Sequence, residues 1–138
     1  MIVVDAGVVV DFLMGRQPAL QGIAAALTGR EQEALHAPEL IEPEVLNALR
    51  GLVRRGHATV DRAEIAVADL GRLRMVRYSH TPLRARIWAL RDELTAYDAV
   101  YLALAEALGD ESALLTGDAG LFARATASLG DARVRRIG

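Results

Sequence analysis

The 138-residue chain has no cysteine. That excludes disulfide bridges, thiolate zinc sites and a cysteine nucleophile together, and it suits a reducing compartment. Lysine is absent as well, since all 16 basic residues are arginine. A phosphate-binding loop with its lysine, a Schiff-base enzyme and a phospho-receiver site are therefore excluded. Aromatic residues are few, with one Trp, three Tyr and two Phe, so base stacking is not expected to dominate any contact with nucleic acid. No apolar run approaches the ~18 residues of a membrane span, and the opening MIVVDAG has neither a basic n-region nor a long apolar h-region. These absences predict a cytoplasmic protein with no membrane association. Without a Pro- or Ser-rich tract or a block of like charge, no segment reads as a disordered tail or linker.

Hydrophobic residues make up 52% of the chain and charged residues 25%, enough apolar side chain for a core. A chain of this length fits one domain, residues 1–138, burying roughly 68 to 70% of its unfolded surface. The formal charge of -2 weighs against a nucleic-acid binder, which usually carries a basic excess, although a cluster of acids can mask basic patches elsewhere.

Short apolar runs alternate with longer helical patterns, the signature of βα units around a parallel sheet. Strands are predicted at Ile2 to Val4, Leu35 to Ala37, Met75 to Tyr78 and Ala113 to Thr116, with an edge strand at Val134 to Ile137. Helices are predicted at Val8 to Met14, at Pro18 to Leu27 with the proline in its first turn, and from Pro38 or Glu39 to Arg55, ended by Gly56. Ile41, Val45, Leu49 and Leu52 give that long helix its apolar stripe. A further helix, capped by Asp61, runs to about Leu73. Another covers Pro82 to Leu94, then LTAYDAVYLALAEALG from Leu94 to Gly109 forms a nearly all-apolar one, and Ala119 to Leu129 the last.

In an open parallel sheet, ligands bind outside the carboxyl ends of the strands. Asp5 follows the first strand directly, and Asp118 follows ALLT through Gly117. Both could instead be helix N-caps. Asp98 closes the capping box Thr95-Ala96-Tyr97-Asp98, yet it sits at the head of a helix that must be buried. Glu44 lies inside the long helix among Leu40, Ile41, Asn47 and Ala48, a largely apolar face unless its carboxylate snorkels to water. One geometry accounts for all four exceptions, namely convergence on one crevice. Two carboxylates 5 Å apart repel by about 3 kcal/mol at an effective dielectric of 20, so such a cluster requires a cation or raised pKa values. Oxygen-only ligands select a hard ion, Mg²⁺ or Mn²⁺, and such ions at carboxylates activate water for phosphodiester hydrolysis.

In order and spacing, IVVDAGVVVDFL, PEVLNALRGLVRRG, LTAYDAVYLALAEALG and LLTGDAGLFARA resemble the PIN-domain ribonucleases, and specifically the VapC toxins of bacterial toxin–antitoxin pairs, over nearly the whole chain. The resemblance implies a three-layer α/β PIN-like domain with a central parallel sheet flanked by helices. It makes Asp5, Glu44, Asp98 and Asp118 the quartet that binds Mg²⁺ or Mn²⁺, with Thr116 and Asn47 as supporting polar groups. It also implies RNA as substrate, a homodimer, and inhibition by a cognate VapB-type antitoxin whose C-terminal segment blocks the site. Where the family usually has Ser or Thr two residues after the first acid, this chain has Gly7. That departure supports a rival reading, a PIN-like module that binds RNA or protein without cutting. A small-molecule phosphatase fits less well, because Ala6-Gly7 breaks the D-x-D spacing and no lysine is available.

Arg50 with Arg54, and Arg84 with Arg91, share helix faces and suit phosphate contacts, though solvated faces look the same. Arg133, Arg135 and Arg136 read as solubilising. His36, His57 and His80 lack metal-ligand spacing, and Asp11 is at most a rim residue. Trp88 and Tyr101 are expected to serve packing or a dimer interface rather than base stacking.

Overall fold

The computed structural model describes residues 1–138. Five strands, β1 (Ile2–Val4), β2 (Leu35–Pro38), β3 (Met75–Tyr78), β4 (Ala113–Thr116) and β5 (Val134–Arg136), form one sheet in the order β3-β2-β1-β4-β5. Every pairing is parallel. The connections contain α1 (Ala6–Leu13), α2 (Ala19–Ala26), α3 (Ile41–Arg54), α4 (Val60–Arg72), α5 (Arg84–Ala89), α6 (Ala96–Ala107) and α7 (Ala119–Leu129).

Parallel strands need crossovers, and right-handed crossovers fix which face each helix covers. Going from β1 to β2 to β3 the chain moves one way across the sheet, and from β4 to β5 it moves the other way, so the two sets of helices fall on opposite faces. The packing agrees: α1 contacts α2, α3 and α4, while α6 lies across β1, β2 and β4 with α5 and α7 beside it. The result is the expected three-layer α/β arrangement. Covered on both faces, β1 is buried at each of its three residues, as a central parallel strand should be. One cluster of 33 buried apolar residues joins the layers.

The two helices that matter most for function are explained by different local rules. α3 is amphipathic, and all four members of its predicted stripe, Ile41, Val45, Leu49 and Leu52, are buried. It ends at Gly56, whose φ of +76° is a left-handed conformation that glycine adopts without a side-chain clash. α6 is enclosed over its middle, with residues 99–105 buried without a break. Its N-cap is Thr95, whose Oγ1 accepts from the Asp98 N–H at 3.2 Å.

Several boundaries differ from expectation for identifiable reasons. α1 starts at Ala6, not Val8, because Asp5 itself caps it. α4 is capped by Thr59, whose Oγ1 accepts from the Arg62 N–H at 3.1 Å, so Asp61 lies in the first turn and not at the cap. The predicted helix Pro82 to Leu94 is a short 3₁₀ turn (Thr81–Leu83) followed by α5, and the chain then turns so that Leu90 and Leu94 enter the core. α3 begins at Ile41 because β2 continues through Pro38. No helix is long and apolar enough to cross a membrane.

Candidate functional site

The sheet order reverses at β1, which has β2 on one side and β4 on the other. Connections leaving β1 and β4 diverge to opposite faces and open a crevice at their carboxyl ends. Asp5 leaves β1 there, its N–H bonded to the Leu115 carbonyl of β4 at 3.2 Å. Asp118 leaves β4 two residues beyond its last member, Thr116. Glu44 arrives from the first turn of α3 and Asp98 from the first turn of α6. These four carboxylates line one cavity of about 330 Å³ with Ala6, Gly7, Tyr101 and Gly117. No basic side chain lines it.

Three of the acids also make hydrogen bonds that tie them to the fold. Asp5, 8% exposed, accepts from the Val8 N–H through Oδ1 at 2.9 Å and from the Thr116 hydroxyl through Oδ2. Asp118 caps α7, accepting from the Leu121 N–H at 2.7 Å, and its own N–H donates to Thr116 Oγ1 at 3.0 Å. Thr116 is fully buried, and its single hydroxyl therefore links the acids at the ends of β1 and β4. Glu44 accepts from the Tyr101 hydroxyl at 2.6 Å. The capping and convergence readings are thus both true of Asp5 and Asp118, whereas at Asp98 the cap is the Thr95 hydroxyl and the carboxylate does not bond back to the Thr95 N–H.

Burial and mutual repulsion disturb the ionisation of three acids. Desolvation pushes Asp5 above the usual carboxylate range, and the Asp118 charge adds to it, against the Thr116 hydroxyl and the Val8 and Gly117 N–H groups. Burial also raises Glu44, with the Asp98 and Asp5 charges adding and the Tyr101 bond opposing. Asp98 is raised by burial first, then by Asp118 and Asp5, with Thr95 opposing. Tyr101 is driven strongly upward by burial and by its bond to Glu44, so it stays a donor. Each acid feels the charge of others, so the group behaves as one electrostatic unit.

No three of the acidic or histidine side chains lie close enough to chelate one ion as they stand. The cause is physical. Asp5 and Asp118 are turned toward helix N-termini, and Glu44 is held by Tyr101. Their chemistry nevertheless suits a hard divalent cation: oxygen donors only, three of them with suppressed ionisation that a positive charge would relieve.

Asn47 is exposed and lies outside this cavity. It lines an adjoining one of about 450 Å³ with Arg16, Arg50 and Arg55, and Gly7 borders both. Tyr101, expected in packing or an interface, is indeed buried in the core, and it also lines the cavity and bonds Glu44, which sequence reasoning missed. Its position three residues after Asp98, on the same face of α6, was the available signal.

Residues 2–127 match the family described as PIN domain. Among characterised proteins, Ribonuclease VapC9 of Mycobacterium tuberculosis is 41% identical over 86% of this chain and 86% of its own length. Ribonuclease VapC1 of the same organism is 42% identical over 88% of each chain. Ribonuclease VapC3 is 37% identical over 85% of this chain and 82% of its own.

Proposed function

Because this chain belongs to the PIN-domain family and, within it, to the VapC ribonucleases, we propose that it is an Mg²⁺- or Mn²⁺-dependent endoribonuclease, the toxin of a VapBC-type pair. One observation carries the reading beyond family: Asp5, Glu44, Asp98 and Asp118 line a single cavity at the β1/β4 switch point with no basic side chain among them. Caps after the paired strands β1 and β4 would be neighbours in any case, but Glu44 caps no helix and still joins them.

Asp5, Glu44, Asp98 and Asp118 would hold the ion or ions. Bound there, Mg²⁺ or Mn²⁺ supplies water activation and stabilisation of the leaving oxygen. The protein's own contribution is orientation and charge. Thr116 fixes the Asp5 carboxylate from a fully buried position, and Tyr101 fixes Glu44. No histidine lines the cavity, and its four carboxylates would all be engaged in holding the ion. The four carboxylates repel an RNA phosphodiester until a cation neutralises them, so a cation would be needed to seat the scissile phosphate among them, though not for RNA to bind elsewhere on the surface. A VapB-type antitoxin and a homodimer complete the proposed assembly.

The test is cleavage of RNA by antitoxin-free protein, with Mn²⁺ or with EDTA, followed by mapping of the new ends. The expected products carry a 5′-phosphate and a 3′-hydroxyl and form only with the metal. Cleavage that survives EDTA, or 2′,3′-cyclic ends, would point to transesterification without metal and remove this mechanism.

Gly7 marks where this site is under-equipped. A Cβ built there would meet Asp5 Oδ1 at 3.7 Å, an ordinary contact. Gly7→Ser should therefore fold normally and place a hydroxyl beside the acids, tightening Mn²⁺ binding by roughly tenfold, the lower end of the range for a supporting polar group. Calorimetry on the two proteins decides it, and an unchanged affinity would show that a hydroxyl at this position adds nothing to the site.

A further inference from the structure

We infer that the cleft between α5 and the start of α6 is a subsite for one unpaired nucleotide of single-stranded RNA, with its base on Trp88 and its phosphates on Arg84 and Arg91. The inference rests on the RNA-cleaving reading and names where the strand lies beyond the cavity of acids.

The cleft has a volume of about 480 Å³ and is lined by residues that include His80, Arg84, Ile87, Trp88, Arg91 and Leu94. No acidic residue lines it, although the chain as a whole is negative. Neither arginine is paired with an acid. Neighbouring Arg86 is taken by Glu106, and Glu93, two residues after Arg91, is bonded to Arg124. Two unpaired guanidinium groups flanking an apolar floor match a phosphate backbone.

Trp88 is 68% exposed, which rules out packing within the chain as its role. The Arg91 guanidinium lies 4.9 Å from its ring centroid, over one face, and the extent of exposure leaves the other face for a base. His80 accepts from the Leu40 N–H through Nε2 at 3.0 Å, so its Nδ1 remains as the donor. The cleft also includes Thr95 and Ala96, the cap and first residue of α6, while Asp98 on the same turn lines the acidic cavity. The two sites thus share the first turn of α6.

A second copy of the chain suits the cleft less well. A two-fold contact across it would have to meet Arg84 and Arg91 with acids from outside the cleft, because none lines it. RNA brings the missing charge.

The experiment uses the fact that Trp88 is the only tryptophan. A single-stranded oligoribonucleotide of about eight nucleotides is titrated into the full chain in EDTA, and Trp fluorescence is read. Saturable quenching is expected, with a duplex of the same length binding more weakly. Trp88→Ala should weaken binding, measured by anisotropy of labelled RNA, by about tenfold, while Trp88→Phe retains most of it. Arg84→Ala and Arg91→Ala should each lower the dependence of log affinity on log salt by about 0.7. In Mn²⁺ the same substitutions should raise KM and leave Mn²⁺ affinity unchanged. Undiminished RNA affinity in all three alanine variants, with cleavage intact, would remove the subsite and leave the ribonuclease. Binding lost in the variants of a protein that never cleaves would do the reverse. Quenching that tracks protein concentration without RNA, and is lost in Trp88→Ala, would assign the cleft to self-association and overturn the proposal.

Discussion

With Asp98 replaced by Asn, Mn²⁺-dependent RNA cleavage should fall by about 10²–10³-fold, the loss typical of removing one charge-stabilising group from a reaction centre, while the metal-free protein becomes more stable. The two effects have one origin. Asp98 is raised by burial and by the charges of Asp118 and Asp5, so its folded form holds a proton more tightly than its unfolded form does. Stability from such a group is fully present below its unfolded pKa, near 3.8, and is lost as pH rises through the folded value. Asp5 and Glu44 carry the same sign. Glu106 opposes them: burial would raise it, but bonds from Arg86 and Ser128 and nearby arginine charges prevail and lower it. Its contribution is present above its ordinary value of 4.5 and lost as pH falls through the lowered one.

Asn keeps the shape and the N–H that Thr95 caps, and removes only the charge. The difference between wild type and Asp98→Asn thus isolates the site from Glu106. At pH 7 without metal, the variant should gain about 1 kcal/mol, a figure reduced for the solvent screening of a half-exposed group, or roughly 3–5 °C in Tm. The gain should vanish below about pH 4, where the wild-type carboxyl is protonated in both states. Adding Mn²⁺ should reverse the order, stabilising the wild type by mass action and the variant hardly at all. Thermal melts across pH, with and without Mn²⁺, check each step. A variant no more stable than wild type at pH 7 would show that Asp98 is a cap and carries no repulsion.

The second large effect is expected at Thr116. Thr116→Val preserves shape in a fully buried position but leaves Asp5 without its side-chain donor and the Asp118 N–H without its acceptor. Unpaired buried groups of this kind cost about 1–3 kcal/mol, and losing a group that orients a metal ligand costs about 10–100-fold in affinity. The Thr116 bond lowers the Asp5 pKa against its burial, so without it Asp5 rises further and protons compete with the metal to higher pH. Mn²⁺ calorimetry across pH should show the affinity recovering at higher pH in Thr116→Val than in wild type. Thr116→Ser should restore both bonds. Equal Mn²⁺ affinity in wild type and Thr116→Val would confine Thr116 to the fold.

Much of the fold was legible because its signals are local. The stripe of α3, the capping threonine of α6 and the apolar strands each follow from periodicity or cap chemistry, and parallel topology then places Asp5 and Asp118 at one edge. What was not legible depended on competition between equals or on the third dimension. Thr59 and Asp61 are both capping types, and only the backbone decides between them. Nothing in Pro82 to Leu94 marks the break after Ala89, which is set by where Leu90 and Leu94 find the core. Tyr101 reads as an apolar core residue, and its bond to Glu44 spans 57 residues of sequence. Asn47, one turn beyond Glu44, faces the neighbouring cavity, a rotation too fine for spacing to resolve. Trp88 reads as a packing or dimer-interface residue on an apolar helix, and its exposure removes only the first of these within the chain.

The enclosure of α6 has a kinetic meaning. Residues 99–105 are sealed between the sheet, α5 and α7, so their amides can exchange with solvent only when the whole domain opens. Tyr101 lies within this sealed unit, whereas Asp98 stands just ahead of it, next to the exposed Thr95, Ala96 and Tyr97. Fraying of the helix head can therefore move Asp98 while Tyr101 keeps its hold on Glu44.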